Sequence, residues 1–195
     1  MVEWTAKNVK SVKHFLWGID SIHEGEPLIT TFRPQDLADE LVVWHREHYS
    51  YQHNDTIRSY TQQGLRKSGN HGKRKDFAYF NRAYTFFGYD QFAAHRAQPN
   101  KLICIWDPSK QGDMVGEHNP CMVLVKFQKR NGKLDLSVVF RKRDLLSRMV
   151  GNWAMLVMWL NNEAGMQKLK PGWLIDYSMD TTYDVKRLEE LRKAK

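Results

Sequence analysis

Apolar and polar residues alternate most regularly in the second half of the chain, where they predict β-strands. Every second position of one segment is apolar, namely Leu134, Leu136, Val138 and Phe140, and this is the period of a strand with one buried face. Shorter apolar runs predict strands at residues 102–106, 121–128 and 173–177. The dipeptide Asn131-Gly132 separates two of these strands, so we predict a hairpin with a two-residue turn.

Helical spacing of apolar residues occurs in the segments between the strands. Leu37, Leu41 and Trp44 form such a stripe after Pro34, which is a favourable residue for the first turn of a helix. The other predicted helices cover residues 90–97, 144–162 and 184–195. Residues 62–76 contain three glycines and five basic residues, and this composition predicts a loop.

Composition narrows the class of protein. Strands and helices mixed over 195 residues predict one α/β (α+β) domain, residues 1–195. Two cysteines are too few for a disulfide framework and fit a reducing compartment. The chain has neither a run of about 18 apolar residues nor a signal-peptide layout, so we expect a cytoplasmic protein without a membrane segment. The formal net charge of +8 suits an anionic partner such as a nucleotide or a nucleic acid, although it also favours solubility alone.

One cysteine is predicted to lie among basic residues. In the predicted hairpin, strict register pairs Cys121 with Lys142, and Arg143 is the next residue. Positive charge favours the nucleophilic thiolate form of cysteine, which makes Cys121 a candidate nucleophile. Strict register turns Arg141 towards the face of Met122, so direct contact between Arg141 and the thiol requires a β-bulge.

The alternative for Cys121 is a small buried cysteine in a core strand, with the basic residues solvated at the strand end. The other cysteine, Cys104, lies in an apolar run without basic neighbours. We therefore expect Cys104 to be buried and less reactive than Cys121.

Two polar residues fall on predicted apolar helix faces. Glu40 lies within the Leu37–Trp44 stripe, where an unpaired carboxylate is costly, so it is a candidate acid or base. The alternative is a carboxylate that reaches water at the edge of the stripe. Asn152 lies on the apolar face of the predicted helix 144–162. Its amide is able to read a donor and an acceptor on a pyrimidine, or to tie the helix to a strand.

Two other groups of residues are weaker candidates. His45, His48 and His53 are close in sequence, but no cysteine or second carboxylate accompanies them, so we expect no metal site. The basic loop of residues 62–76 suits the phosphates of a nucleic acid or a lid over a substrate, and the simpler account is a solvated loop.

Short motifs follow one another in a fixed order between about residues 25 and 185. They are Gly25-Glu26-Pro27-Leu28-Ile29-Thr30-Thr31, Glu40-Leu41-Val42-Val43-Trp44, Arg82-Ala83-Tyr84, Gly88-Tyr89-Asp90-Gln91, Trp106-Asp107-Pro108, Asn119-Pro120-Cys121, Asn131-Gly132-Lys133-Leu134, Arg141-Lys142-Arg143-Asp144, Asn152, Pro171-Gly172 and Tyr183. This series resembles the motifs of the thymidylate synthase and pyrimidine nucleotide hydroxymethylase superfamily. The resemblance implies a mixed β-sheet with bulges, helices on one face, and a homodimer joined sheet to sheet.

The resemblance also implies a reaction. Cys121 would add to C6 of a pyrimidine nucleoside monophosphate such as dUMP, and 5,10-methylenetetrahydrofolate would supply one carbon to C5 as a methyl or hydroxymethyl group. The implied roles are phosphate binding by Arg141 and Lys142, proton handling by Glu40 and Asp144, base reading by Asn152, sugar binding by Tyr183, further substrate binding by Arg82, and folate binding by Asp144 and Trp106. In this family an Asn at position 152 goes with a uracil-type base.

Several positions depart from the family pattern. Residues that are His, Gln, Ser, Gly and His in the family are replaced, in that order, by Met122, Phe140, Lys142, Arg148 and Thr181. No arginine pair precedes Trp106, and the chain ends soon after its last predicted helix, without the segment that closes over folate in the family. We therefore expect folate chemistry to be more altered than nucleotide binding.

Three classes of function follow from these observations. The first is a C5 methyl- or hydroxymethyltransferase. The second is a nucleotide-binding member of the same superfamily that has lost folate chemistry, as a pseudoenzyme or an enzyme of a different reaction. The third is a nucleic-acid-binding protein on the same scaffold that uses the basic loop.

A homodimer is expected from the strand that follows Cys121. This strand offers two apolar faces, which are Val123, Val125 and Phe127 on one side and Met122 and Leu124 on the other. One layer of helices covers only one face of a sheet. The second face then needs a second copy of the chain, or it needs residues 1–24 folded over it within a monomer.

Overall fold

The computed structural model describes residues 5–37, 39–41, 79, 82–83, 88–98, 102–107, 120–146 and 148–193. The strands are β1 (Thr5–Asn8), β2 (Leu28–Phe32), β3 (Ile103–Cys104), β4 (Met122–Arg130), β5 (Lys133–Phe140), β6 (Arg143–Asp144), β7 (Lys170–Ser178) and β8 (Thr181–Thr182). The helices are α1 (Val12–Trp17), a 3-10 turn (Ile19–Ser21), α2 (Gln91–Ala97), α3 (Met149–Met166) and α4 (Val185–Lys193). Residues 34–37 and 39–41 are also helical. The predicted α+β class is confirmed.

Six strands form one mixed sheet in the order β1-β2-β7-β5-β4-β3. The pairs β1–β2 and β5–β7 are parallel, and the other neighbours are antiparallel. β6 and β8 form a separate parallel pair. They follow directly after β5 and β7 in the chain, so this small pair lies at the end of the sheet where β5 and β7 finish.

The predicted hairpin joins β4 to β5. Asn131 and Gly132 have φ angles of 49° and 72°, and a turn of type I′ requires positive φ at both positions. Two residues of β4 face one residue of β5 between Met122 and Leu124, where the register shifts. The β-bulge that contact between Arg141 and Cys121 requires is therefore present, at Val123.

The helices α1, α2 and α3 gather on one side of the sheet. The ring of Trp153 in α3 lies 5.1 Å from Phe15 of α1 and 5.1 Å from Phe32 of β2. Phe92 of α2 lies 5.3 Å from the ring of Trp159. Aromatic side chains from three helices thus fill the space over one face, as aromatic pairs at these distances commonly do in cores.

An ion pair joins α2 to α3 at the far end of this layer. Arg96 donates a hydrogen bond of 2.7 Å to Glu163, whose side chain is only 2% exposed. Burial raises the pKa of Glu163 above its ordinary value, and the hydrogen bond from Arg96 opposes that rise.

The opposite face of the sheet is half-buried in the single chain. On β4 the buried residues are Met122, Val125 and Phe127, and the half-buried ones include Leu124 and Lys126. The prediction that grouped Val123 with Val125, and Met122 with Leu124, is wrong because the bulge exchanges the two faces at this point. On β7 the half-buried residues include Trp173, Ile175 and Tyr177.

The N-terminal segment does not supply the second layer. β1 extends the sheet beside β2, and Phe15 of α1 packs on Trp153, which is on the side of α3. The alternative in which residues 1–24 cover the second face is therefore wrong for residues 5–24.

Two further predictions differ from the structure. α3 begins at Met149 rather than at 144, because Arg143 and Asp144 pair with β8 instead of opening the helix. Cys104 is exposed rather than buried, because β3 is the edge strand and only its neighbours Ile103 and Ile105 face the core. In the described ranges, no helix combines the length and the apolar character needed to cross a membrane.

Candidate functional site

The bulge at Val123 brings Cys121 and Arg141 opposite each other. The backbone N–H of Arg141 donates to the carbonyl of Cys121 at 2.9 Å. The Nε of Arg141 donates to the carbonyl of Pro120 at 3.1 Å, so the guanidinium lies along the backbone just before the thiol. Cys121 is half-buried and packs against the core. Without the bulge, strict register would pair Cys121 with Lys142 instead.

The edge strand flanks the bulge on the other side. The backbone N–H groups of Ile105 and Trp106 both donate to the carbonyl of Val123, at 2.9 and 3.2 Å. Trp106 is half-buried there. Arg82 is buried, and its Nη1 donates to the carbonyl of Ile105 at 3.0 Å. Two predicted site residues are therefore close to the bulge. Trp106 contacts Val123 directly through its backbone, and Arg82 contacts Ile105, which bonds to the same carbonyl.

Three more predicted site residues lie along the same end of the sheet, two of them after β5 and the third after β8. Lys142 is exposed, and its Nζ lies 4.0 Å from Oδ2 of Asp180. Asp144 pairs with Thr182 in the β6–β8 pair, and Tyr183 is the next residue. Asp144 and Tyr183 are both half-buried. The short parallel pair thus joins Asp144 and Tyr183 to the end of the sheet that carries Arg141.

Asn152 enters this region from the first turn of α3. Its backbone N–H donates to the carbonyl of Arg148 at 3.0 Å, and the N–H of Arg148 donates to the carbonyl of Asp144 at 3.3 Å. α3 therefore starts directly from the segment that carries Asp144. Asn152 is half-buried.

Glu40 has a structural partner. Its Oε2 accepts a hydrogen bond of 2.5 Å from the backbone N–H of Val12, where α1 begins and its N–H groups lack partners within the helix. Phe15 of α1 packs on Trp153. Trp153 is the residue that follows Asn152. Within the described ranges, no hydrogen bond joins Glu40 to Cys121.

A buried ion pair behind the site was missed by the sequence analysis. Arg143 and Asp176 are 1% and 0% exposed, and Nη2 of Arg143 donates to Oδ2 of Asp176. The same Oδ2 accepts from Nε1 of Trp153 at 3.0 Å. The charge of Arg143 is therefore paired with a carboxylate rather than with the thiol of Cys121. The available signal was Asp176 itself, since it shares the apolar face of its strand with Leu174 and needs a partner there.

Among the described residues, the charged side chains at this end of the sheet that are not fully buried include Arg141, Lys142, Asp144 and Asp180. The pair formed by Lys142 and Asp180 is exposed, and exposed pairs contribute little. Lys142 is thus able to turn towards an anion at small cost. The candidate histidines and the basic loop of residues 62–76 lie outside the described residues.

Comparison with known proteins bears on the class of protein. No family model matches the chain. A stretch of 134 residues, 63% of this chain, is 30% identical to a protein of Methanothermobacter thermautotrophicus described as "Putative thymidylate synthase". The match covers 60% of that relative, so the chain spans less than two thirds of its length. The similarity supports a relationship with thymidylate synthase-like proteins, and the mixed α+β sheet is consistent with it.

Proposed function

We propose that this protein transfers a one-carbon unit to C5 of a pyrimidine nucleoside monophosphate, with Cys121 as the nucleophile. The observation that carries the proposal is the bulge at Val123, because it turns a strand pair into a direct juxtaposition of Cys121 and Arg141. The Arg141 guanidinium, held at the carbonyl of Pro120, places positive charge beside the residue that carries the thiol. Half-burial leaves the sulfur accessible to a substrate while limiting competing reactions with water.

The proposed chemistry uses the thiolate to activate C5. The Cys121 Sγ forms a bond to C6, and the electrons of the C5–C6 double bond move towards the C4 carbonyl oxygen. C5 thereby becomes the nucleophile that takes up the one-carbon unit. Loss of the proton from C5 would accompany cleavage of the carbon–nitrogen bond that joins the one-carbon unit to the donor. A hydride from the reduced folate would then give a methyl group, or water would give a hydroxymethyl group. Departure of the Cys121 thiolate from C6 restores the C5–C6 double bond and frees the enzyme.

Substrate binding is proposed for the polar groups around the thiol. Arg141 and the exposed Lys142 would hold the phosphate by charge-assisted hydrogen bonds. The amide of Asn152 would read the base, with uracil preferred, and Tyr183 would bind a sugar hydroxyl. Arg82, which is buried against Ile105, would act in substrate binding mainly by fixing the backbone beside Trp106.

Two residues fit the proposed donor, 5,10-methylenetetrahydrofolate. The half-buried Trp106 beside the bulge offers an aromatic surface on which a planar ring is able to stack. The half-buried Asp144 on the other flank offers a carboxylate that accepts hydrogen bonds from ring N–H groups. When bound, the donor would supply the carbon that C5 receives. Glu40 would then take part in proton transfer only if a water bridges it to the substrate.

We also propose that two copies of the chain pair through the half-buried face of the sheet. Its members on β4, β5 and β7 include Leu124, Val139, Trp173, Ile175 and Tyr177. Burying apolar surface of this kind contributes roughly 25 cal/mol per Å². Sedimentation at micromolar concentration tests the proposal, and a monomer under those conditions would contradict it.

Product analysis tests the reaction. The protein is incubated with UMP, dUMP, CMP or dCMP, with and without methylenetetrahydrofolate, and the nucleotides are weighed by mass spectrometry. A methyl or hydroxymethyl product that needs both the donor and Cys121 supports the proposal. Cys104→Ser is the matched control, since it removes the other thiol. Product formation by Cys121→Ser would overturn the assignment, and tight nucleotide binding without any product would reduce the protein to a nucleotide-binding relative.

A further inference from the structure

One buried carboxylate holds two segments that each carry a proposed site residue. Asp176 is fully buried on the helix-facing side of β7. Its Oδ2 accepts from Nη2 of Arg143 and from Nε1 of Trp153, the latter at 3.0 Å. Arg143 directly precedes Asp144, and Trp153 directly follows Asn152. A single side chain thus fixes the neighbours of two proposed site residues.

The guanidinium of Arg143 depends strongly on this carboxylate. Its Cζ lies 3.3 Å from the centroid of the Phe140 ring, and Phe140 directly precedes Arg141. Nε and Nη1 of Arg143 are buried, and among the described residues nothing accepts a hydrogen bond from them. In this part of the chain Asp176 is therefore the acceptor that compensates the buried charge.

Such a pair is a poor device for stability alone. Two buried donors without partners are costly, and replacing a buried ion pair by apolar residues is often neutral or stabilising. What the pair does supply is orientation, because the guanidinium is held at once by Oδ2 of Asp176 and against the ring of Phe140. The backbone of Arg143 is fixed as well, since its N–H donates to the carbonyl of Asp180 at 2.8 Å.

We infer that Asp176 is a positioning residue for the site proposed above, and this inference rests on that proposed function. Through Arg143 and the Phe140 ring, Asp176 fixes where the strand end presents Arg141 to a phosphate. Through Trp153, it fixes the rotation of α3 that presents Asn152 to a base. One carboxylate therefore sets the relative placement of the phosphate-binding and base-reading groups.

Two sets of variants separate the effect of Asp176 through Arg143 from its effect through Trp153. Asp176→Asn combined with Arg143→Met removes both charges and keeps an acceptor for Trp153. We expect its melting temperature to stay close to that of the wild type, while its Kd for uridine monophosphate rises about 10- to 100-fold and its Kd for uridine changes little. Trp153→Phe keeps an aromatic side chain but removes the donor and part of the ring, so it is expected to weaken both ligands alike. Arg143→Lys, which keeps the charge but loses the planar guanidinium on the Phe140 ring, gives the same phosphate-selective loss to a smaller degree and serves where the double variant does not fold.

A structural role alone would not split the two ligands in this way. Wild-type binding of uridine monophosphate by a stably folded double variant, or by Arg143→Lys, overturns the inference. If the wild type binds no nucleoside monophosphate, the proposed function fails, and amide hydrogen exchange then decides the inference. Faster exchange at the backbone amides of positions 141 and 143 in the double variant, with unchanged exchange at the Ala93 amide of α2, supports positioning. Unchanged exchange at positions 141 and 143 overturns it.

Discussion

The sheet departs from regular pairing at both ends of β5, and the two departures behave differently. Near the start of β5, the register with β7 shifts between Leu134 and Leu136. The residue between them, Asp135, turns its Oδ1 to the backbone N–H of Trp173 at 2.8 Å. Near the end of β5, the register with β4 shifts at Val123, whose carbonyl accepts from the backbone of the edge strand.

The difference lies in what each irregularity leaves accessible. Around Asp135 the space is closed, because a Cβ added to Gly172 would lie 2.0 Å from Oδ1 of Asp135. At Asp135 the carboxylate is used to hold β5 and β7 together. At Val123 the shift leaves Cys121 half-buried opposite Arg141. A β-bulge therefore indicates a functional site only where the side chains beside it remain accessible instead of bonding within the sheet.

The largest expected effect is the loss of product formation when Cys121 is replaced. Cys121→Ser should lower product formation at least about 1000-fold, since a hydroxyl is a far weaker nucleophile for C6. Melting temperature should change little, because the substitution is nearly isosteric and the side chain is half-buried. Steady-state turnover and calorimetry check the two parts. A large loss of stability in this variant would mean that the thiol acts mainly in packing.

The closed irregularity should respond in the opposite way. Gly172→Ala should destabilise the protein by about 3 kcal/mol, because the new methyl group displaces the Asp135 carboxylate from Trp173. Denaturant titration measures the change, and Gly165→Ala in α3 is the matched control because a Cβ there meets nothing within 4 Å. A fully stable Gly172→Ala variant would show that this end of the sheet adapts more easily than its contacts indicate.

Arg141→Ala should weaken the monophosphate more than the nucleoside. A charge-assisted hydrogen bond to phosphate contributes about 1.5–3 kcal/mol, and the nucleoside offers no phosphate. Calorimetric titration with uridine and its monophosphate measures both affinities. Equal losses for the two ligands would assign Arg141 to the support of the Pro120 backbone instead.

Alkylation gives a smaller but direct comparison of the two thiols. Because Cys104 is exposed, simple order of labelling no longer separates it from Cys121. Nucleoside monophosphate at ten times its Kd should slow labelling of Cys121 about tenfold and leave Cys104 unchanged. Mass mapping of the labelled peptides measures both rates. Slower labelling of Cys104 on concentrating the protein would instead report pairing of the half-buried sheet faces.

The smallest effect is expected far from both irregularities, at Glu163. Its pKa in the folded protein lies above the ordinary value of 4.5, mainly because of burial. The folded state therefore binds more protons than the unfolded state above pH 4.5, and stability falls as the pH rises through the folded pKa. Glu163→Gln should remove this slope and change stability at neutral pH by about 1 kcal/mol or less. Urea titrations across this pH range test it, and a slope that persists in the variant would place its origin elsewhere.

Local chemistry made part of this structure predictable. Asn131-Gly132 specified the turn, and Asp90 accepts from the N–H of Ala93 at 2.9 Å as the cap of α2. The need for a bulge beside Cys121 also followed from the alternation of two strands joined by a turn of known length. The predicted roles of the residues around the thiol remain predictions, since position alone does not test them.

Other features depend on contacts that local sequence does not encode. Cys104 is exposed because its strand is at the edge of the sheet, and strand order is a property of the whole fold. The late start of α3 follows from the pairing of Arg143 with Thr181, residues that lie far apart in the chain. The ion pair of Arg143 with Asp176 also joins residues that are far apart in sequence, so it was not predicted. Asp176 on the apolar face of its strand indicated only that it needs a partner.

The β6–β8 pair also constrains the order of events during folding. Thr181 Oγ1 donates to the carbonyls of His23 and Glu26, at 3.4 and 3.0 Å, across sequence separations of 158 and 155 residues. Contacts of such separation cost closure entropy before they stabilise anything. On a ribosome, the loop before β2 makes these contacts only after Thr181 has emerged. The end of the sheet that carries Cys121 should therefore form only after the segment around Thr181 has been synthesised, and the thiol should stay open to oxidation until then.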